Sequence, residues 1–109
     1  MEINFENFKK FEIIVGTIIN VSKNIKAKKP AYVLTIDFGN KLGLKKTSAQ
    51  VTNYSMDKLI NRKVVAVTNF PNKNIAGVIS EVLVLGAITS NGVNLLNVKK
   101  TTKNGTVIG

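Results

Sequence analysis

From Phe11 onward the chain alternates. Phe11, Ile13, Val15, Ile19 and Val21 fall on one side of an extended segment, with Gly16 on the other at a place suited to a bend or bulge. A strand of this length has to find sheet partners, and the rest of the chain supplies them. Tyr32, Leu34, Ile36 and Phe38 alternate again, and Gly39-Asn40-Lys41 provides a turn before Leu42, Leu44 and Lys46 resume the period. Val64-Val65-Ala66-Val67 is a continuous apolar run suited to a buried strand, closed by Asn69-Phe70-Pro71-Asn72. Gly77 precedes a further strand over Val82 to Leu85, and Asn91-Gly92 turns the chain into Val93 to Val98. Asn104-Gly105 lets a last short strand, Thr106 to Ile108, fold back.

Helical signals are few. Asn4 suits the cap of a short N-terminal helix with Glu6 in its first turn and Phe5 and Phe8 on one face, their rings expected to pack on the domain. Ser55 suits the cap of a second, with Asp57 in the first turn and Leu59 and Ile60 turned inward. Seven or fewer short strands with a small helix after the third predict an all-β, mainly β chain. The expected fold is a five-stranded OB-fold barrel with a short N-terminal helix and appended C-terminal strands, one domain over residues 1–109.

Charge narrows the function. Sixteen Lys and Arg stand against six Asp and Glu, a formal net charge of +10 that suits polyanionic partners. Nearly all the cations are lysine, Arg62 being the one arginine, and with abundant Asn and Ile this matches AT-rich codon usage; the scarcity of acids is the more telling half. The chain has no Cys and no His, which excludes disulfides, Cys/His zinc sites, thiol nucleophiles and imidazole bases. No carboxylate pair stands out among Glu2, Glu6, Glu12, Asp37, Asp57 and Glu81, and no phosphate-binding Gly-rich fingerprint appears. A non-enzymatic binding module is therefore expected, with no cofactor, metal or catalytic residue. The acidic start and short apolar runs predict a cytoplasmic protein without membrane insertion.

Three polar groupings carry the binding chemistry. Lys45-Lys46-Thr47-Ser48-Ala49-Gln50 offers phosphate contacts and hydrogen bonds, although Lys45 and Lys46 must face opposite sides of a strand. The segment from Asn69 through Lys73 to Gly77, then Ser80-Glu81, offers an amide, a charge and an aromatic ring, Phe70, which by itself reads as core. Lys23, Lys26, Lys28 and Lys29 occupy the loop between the first two strands, one of the loops with which OB folds grip ligands.

Phe11-Glu12-Ile13-Ile14-Val15-Gly16, Pro30-Ala31-Tyr32 through Phe38-Gly39, and Val67-Thr68-Asn69-Phe70-Pro71 running to Leu85-Gly86 share an order and spacing. Together they resemble the tRNA-binding OB-fold domain family, found appended to methionyl- and phenylalanyl-tRNA synthetases and as free-standing dimers, and most of all its CsaA-type export chaperone branch. The family's common Asp-Ile-Arg-Val-Gly is altered, with Glu12 and Ile14 in the Asp and Arg places. Its Ser-x-Gly-Met-x-Leu appears as Ser80-Glu81-Val82-Leu83-Val84-Leu85. The resemblance implies a homodimer that binds tRNA and serves unfolded precursor proteins and the Sec export machinery, its dimer built partly from C-terminal strands. Val93, Leu95, Leu96 and Val98 belong either to that interface or to the core.

The expected RNA-binding positions are Lys45, Lys46, Ser48, Gln50, Asn69, Lys73 and Ser80, and the expected peptide anchors are Tyr32 and Phe70. The alternative is a holdase for unfolded secretory precursors with little or no RNA binding.

Overall fold

The computed structural model describes residues 1–109. Its centre is one antiparallel sheet built from β1 (Ile13–Lys23), β2 (Tyr32–Asp37), β3 (Leu44–Ala49), β4 (Lys63–Val67) and β7 (Leu83–Val84), in the order β3-β2-β1-β4-β7. Two hairpins are added: β5 (Lys73–Ile75) with β6 (Val78–Ser80), and β8 (Gly86–Thr89) with β9 (Gly92–Leu95). The helices are single turns, α1 (Phe5–Phe8) and α2 (Met56–Leu59). Nine strands replace the seven or fewer expected: β5, β6 and β8 are additional, being too short to show an apolar alternation, and the expected strand over Thr106 to Ile108 forms only an isolated bridge, Ile14 with Val107.

The sheet curls until β3 reaches the segment leading into β7, and this seam closes largely through side chains. Glu81 N–H donates to the Lys46 carbonyl at 2.8 Å. Lys46 N–H donates to Glu81 Oε1 at 3.0 Å, Ser48 N–H to Ser80 Oγ at 2.9 Å, and Thr47 Oγ1 to the buried Val82 carbonyl at 2.8 Å. Ser80, Glu81 and Thr47 thus satisfy edge groups that would otherwise offer a template to another strand. The five-stranded OB-type barrel expected from the alternation is present.

The first strand corrects the expected faces. Ile14, Gly16 and Ile18 point into the barrel, and Ile19 is skipped in the pairing with β2, where Ile18 opposes Ile36 and Asn20 opposes Thr35. That bulge reverses the parity, so Val21, opposite Leu34, is inward again. Gly16 is not the bulge. It lies where a Cβ would stand 2.6 Å from Ile36 Cγ2 and 2.8 Å from Phe38, so the core closes over a missing side chain. Val15 is buried on the opposite face beside its partner Val65; both faces of β4 are covered, which is why Val64–Val67 reads as an unbroken apolar run.

The barrel core joins Ile14, Ile18, Leu34, Ile36, Phe38 and Leu59. Tyr32 belongs to it as well: its side chain is buried and its hydroxyl donates to the Tyr54 carbonyl at 2.9 Å. Ile60, expected inward, is exposed, as is Leu44; on β3 the inward set is Lys45, Thr47 and Ala49, opposite Ile36, Leu34 and Tyr32. Phe5 and Phe8 stack on one another at 6.3 Å and remain exposed instead of packing on the barrel. Asn4 caps α1 as expected, its Oδ1 accepting from Asn7 N–H, whereas Ser55 makes no such bond at α2.

The C-terminal segment continues the sheet where β2 ends. Val15 N–H donates to the Thr106 carbonyl and Ile108 N–H to the Ile13 carbonyl, and Asn104 Oδ1 accepts from Thr17 Oγ1 at 2.7 Å and Lys63 Nζ at 2.8 Å. No helix is long and apolar enough to cross a membrane.

Candidate nucleic-acid interface

Loop 24–31 and the β5–β6 hairpin approach each other over the outer side of β3, and one side chain holds them there. Asn24, 8% exposed, donates from Nδ2 to Ser48 Oγ at 3.1 Å and to the Ile75 carbonyl at 3.3 Å. Its N–H donates to the Ala31 carbonyl at 2.9 Å, closing the base of the loop. A buried amide must satisfy its donors, so this position couples loop, hairpin and strand geometrically. The hairpin turns at Ala76-Gly77, both at positive φ (50° and 83°), the backbone a two-residue hairpin turn requires.

Between the two loops lies a cleft of about 560 Å³ lined by Lys26, Lys28, Lys29, Ser48, Gln50 and Ile75. No carboxylate lines it. Ser48 also borders a second concavity of about 290 Å³, whose walls include Phe70, Pro71, Lys73, Glu81 and Leu83. Phe70 is half exposed and meets Phe11 edge to face at 6.0 Å, so it is not the core residue its position suggests.

The other expected site residues separate by role. Lys46 and Ser48 share the outer face of β3, with Lys45 on the inner side, as strand parity demands, and Gln50 lies just past the strand's end. Lys45 Nζ lies 3.8 Å from Glu81 Oε2, a partly exposed ion pair at the barrel seam. Lys73 is exposed at the hairpin's start. Ser80 is buried with its hydroxyl engaged in the barrel seam. Asn69 is committed to the fold: its Oδ1 accepts from Glu12 N–H at 2.9 Å and its Nδ2 donates to the Lys10 carbonyl at 2.7 Å. Tyr32, expected as a peptide anchor, is buried with its hydroxyl engaged and borders a concavity with Lys23, Lys28 and Pro30.

Asn24 went unread in the sequence because a lone amide in a lysine-rich loop carries no signal of burial. The lysines around it were legible as a basic loop, though not as the wall of a particular cleft.

Residues 13–107 match the family model "Putative tRNA binding domain". The chain belongs to the tRNA-binding domain family. Methionine–tRNA ligase of Thermococcus onnurineus is 36% identical over 108 residues, covering 94% of this chain and 14% of the ligase. The corresponding ligase of Methanococcus vannielii is 30% identical over 103 residues, again 14% of its length. This tRNA-binding domain therefore spans about one seventh of the length of those ligases.

Solved structures of similar size align over the whole fold. The CsaA chaperone protein from Picrophilus torridus superposes with a TM-score of 0.95 at 52% identity, over 99% of this chain and 100% of that one. Chaperone CsaA from Bacillus anthracis str. Ames gives 0.93 at 42% identity, with both chains fully covered. The resemblance to the tRNA-binding family and to its CsaA-type members is thus present in sequence and in fold.

Proposed function

We propose that this protein is a non-enzymatic module that binds tRNA in the cleft between loop 24–31 and the β5–β6 hairpin, acting as a cytoplasmic homodimer. The observation that carries the reading is the cleft wall of Lys26, Lys28 and Lys29, held by Asn24 and free of carboxylates. Lysine ammonium groups there neutralise backbone phosphates, and each neutralised phosphate steepens the fall of log K with log salt by about 0.7 to 0.9. Lys46, Gln50 and Lys73 extend the same face. The net charge of +10 adds long-range attraction.

The test is tRNA binding measured across a salt series. The triple variant K26Q/K28Q/K29Q is expected to bind more weakly, with a slope shallower by about 2. A flat salt response, or no binding by the unaltered protein at low salt, rejects the reading.

A second role has its own support. The CsaA chaperones align along their full length, and the concavity at Phe70, Pro71 and Leu83 exposes apolar surface beside the lysine cleft. In this reading the protein also holds unfolded precursor proteins for the Sec export machinery, with Phe70 as an anchor. Light scattering from an aggregating denatured client, with and without saturating tRNA, separates the roles. Suppression that persists under tRNA means distinct sites, and no suppression rejects the chaperone role. Exposed Ile88 and Leu96 near the β8–β9 hairpin suit the dimer contact, which sedimentation of an I88K variant checks.

A further inference from the structure

A second basic concavity lies where α2 and the start of β4 meet residues 97–100. It measures about 650 Å³, is lined by Lys58, Arg62, Lys63, Lys99 and Lys100 with Asn97 among them, and has no residue in common with the lysine cleft. No carboxylate lines this groove, and the chain's two ion pairs, Lys9 with Glu6 and Lys45 with Glu81, lie elsewhere. Asp57, next to Lys58 on α2, offsets one of these charges, and the remaining like charges repel one another, so the groove is electrostatically poised for a polyanion.

Arg62 is held in place. Its terminal nitrogen donates to Asn97 Oδ1 at 2.6 Å and to the Leu95 carbonyl at 3.3 Å, and its guanidinium lies 5.2 Å from the Tyr54 ring centroid. Its Nε is the buried side-chain polar atom left without a hydrogen-bond partner. A guanidinium already oriented loses little freedom on meeting an oxyanion. Around it the exposed Lys58, Lys99 and Lys100 supply mobile charge. A concave wall of this kind admits a strand of phosphates, whereas a flat lipid surface does not follow it.

We propose that this groove is a second contact surface for the phosphodiester backbone of RNA, separate from the cleft at the loops. The inference rests on the reading that the protein binds tRNA, and it enlarges the footprint of one chain from one face to two.

The experiment compares K58Q/K99Q/K100Q with K26Q/K28Q/K29Q for tRNA binding across a salt series, and adds amide NMR spectra of the unaltered protein titrated with a short single-stranded RNA. The groove variant is expected to bind roughly tenfold more weakly at moderate salt, with a slope shallower by about 2. The titration is expected to shift amides of residues 61–63 and 97–100 as well as those of 24–31. Unchanged binding by the groove variant, with the cleft variant weakened, overturns this inference and leaves the proposed function standing. Weakening in the groove variant alone supports the groove and overturns the cleft. Weakening without amide shifts at 61–63 and 97–100 means a long-range field and no contact, and also overturns it. No tRNA binding by the unaltered protein overturns both. The substituted lysines are exposed, so thermal midpoints are expected to stay near that of the parent.

Discussion

Asn24 and Ser48 lie 24 residues apart in the chain, yet the amide of one donates to the hydroxyl of the other at 3.1 Å. Through the same amide the loop after β1 is tied to the Ile75 carbonyl on the hairpin opposite. The cleft is therefore a consequence of one satisfied buried side chain as much as of the lysines that line it.

Replacing Asn24 by alanine removes both donors and leaves the Ile75 carbonyl and Ser48 hydroxyl without them. Loss of about 1–3 kcal/mol is expected in urea unfolding, because buried polar groups are left unpaired. Hydrogen exchange at residues 25–30 should accelerate in the same variant, as the loop loses its tether.

Gly16→Ala forces a methyl to within 2.6 Å of Ile36 Cγ2, a distance the core cannot accept without shifting Phe38. The expected cost is about 1–3 kcal/mol, the range for overpacking. The double variant G16A/I36A, which removes the clashing Cγ2, should cost less than the sum of the two single variants, and denaturant midpoints of all three read the difference.

Ala76 has φ of 50° at the hairpin turn, a conformation that favours glycine and asparagine. Ala76→Asn creates the Asn-Gly pair that such turns prefer and should stabilise the protein by up to about 1 kcal/mol. A raised thermal midpoint checks it; a lowered one would show that the turn is not strained at this residue.

Glu81 holds down the charge of Lys45 at the barrel seam. Glu81→Gln keeps an oxygen to accept from Lys46 N–H while removing the negative charge. RNA affinity at low salt should rise modestly through the loss of one negative charge, with the salt slope nearly unchanged, in the same salt series.

Asp57 is fully exposed, and the Ser55 hydroxyl, followed by its own backbone N–H, holds its carboxyl below the usual value. A depressed carboxylate contributes stability that is present above its unfolded-state value and is lost as pH falls through the folded one. Ser55→Ala should move the Asp57 titration upward toward its ordinary position. Carboxyl-carbon NMR between about pH 2 and 6 reads the shift directly.

Alternation marked β1, β2 and β3, and an unbroken apolar run marked β4, which is most of the barrel sheet. Tyr32, Leu34, Ile36 and Phe38 face one way because a period of two permits nothing else, and Lys45 and Lys46 separate for the same reason. The imbalance of charge likewise pointed to a polyanionic partner before any residue was placed. What alternation could not determine was phase. One skipped residue, Ile19, reversed the inward face of β1, and a bulge is a property of the pairing between strands that neither strand encodes alone.

The binding surface depended on tertiary structure still more. Asn69, Ser80 and Lys45 have the chemistry of ligand contacts, but the fold engages them with Lys10, Ser48 and Glu81, partners brought near only when the barrel closes. Conversely, Lys58 and Lys100 are far apart in sequence and become one groove only because α2 and the C-terminal segment meet beside β4. Local pattern sets which way a side chain points, whereas what it meets is decided by contacts between distant parts of the chain.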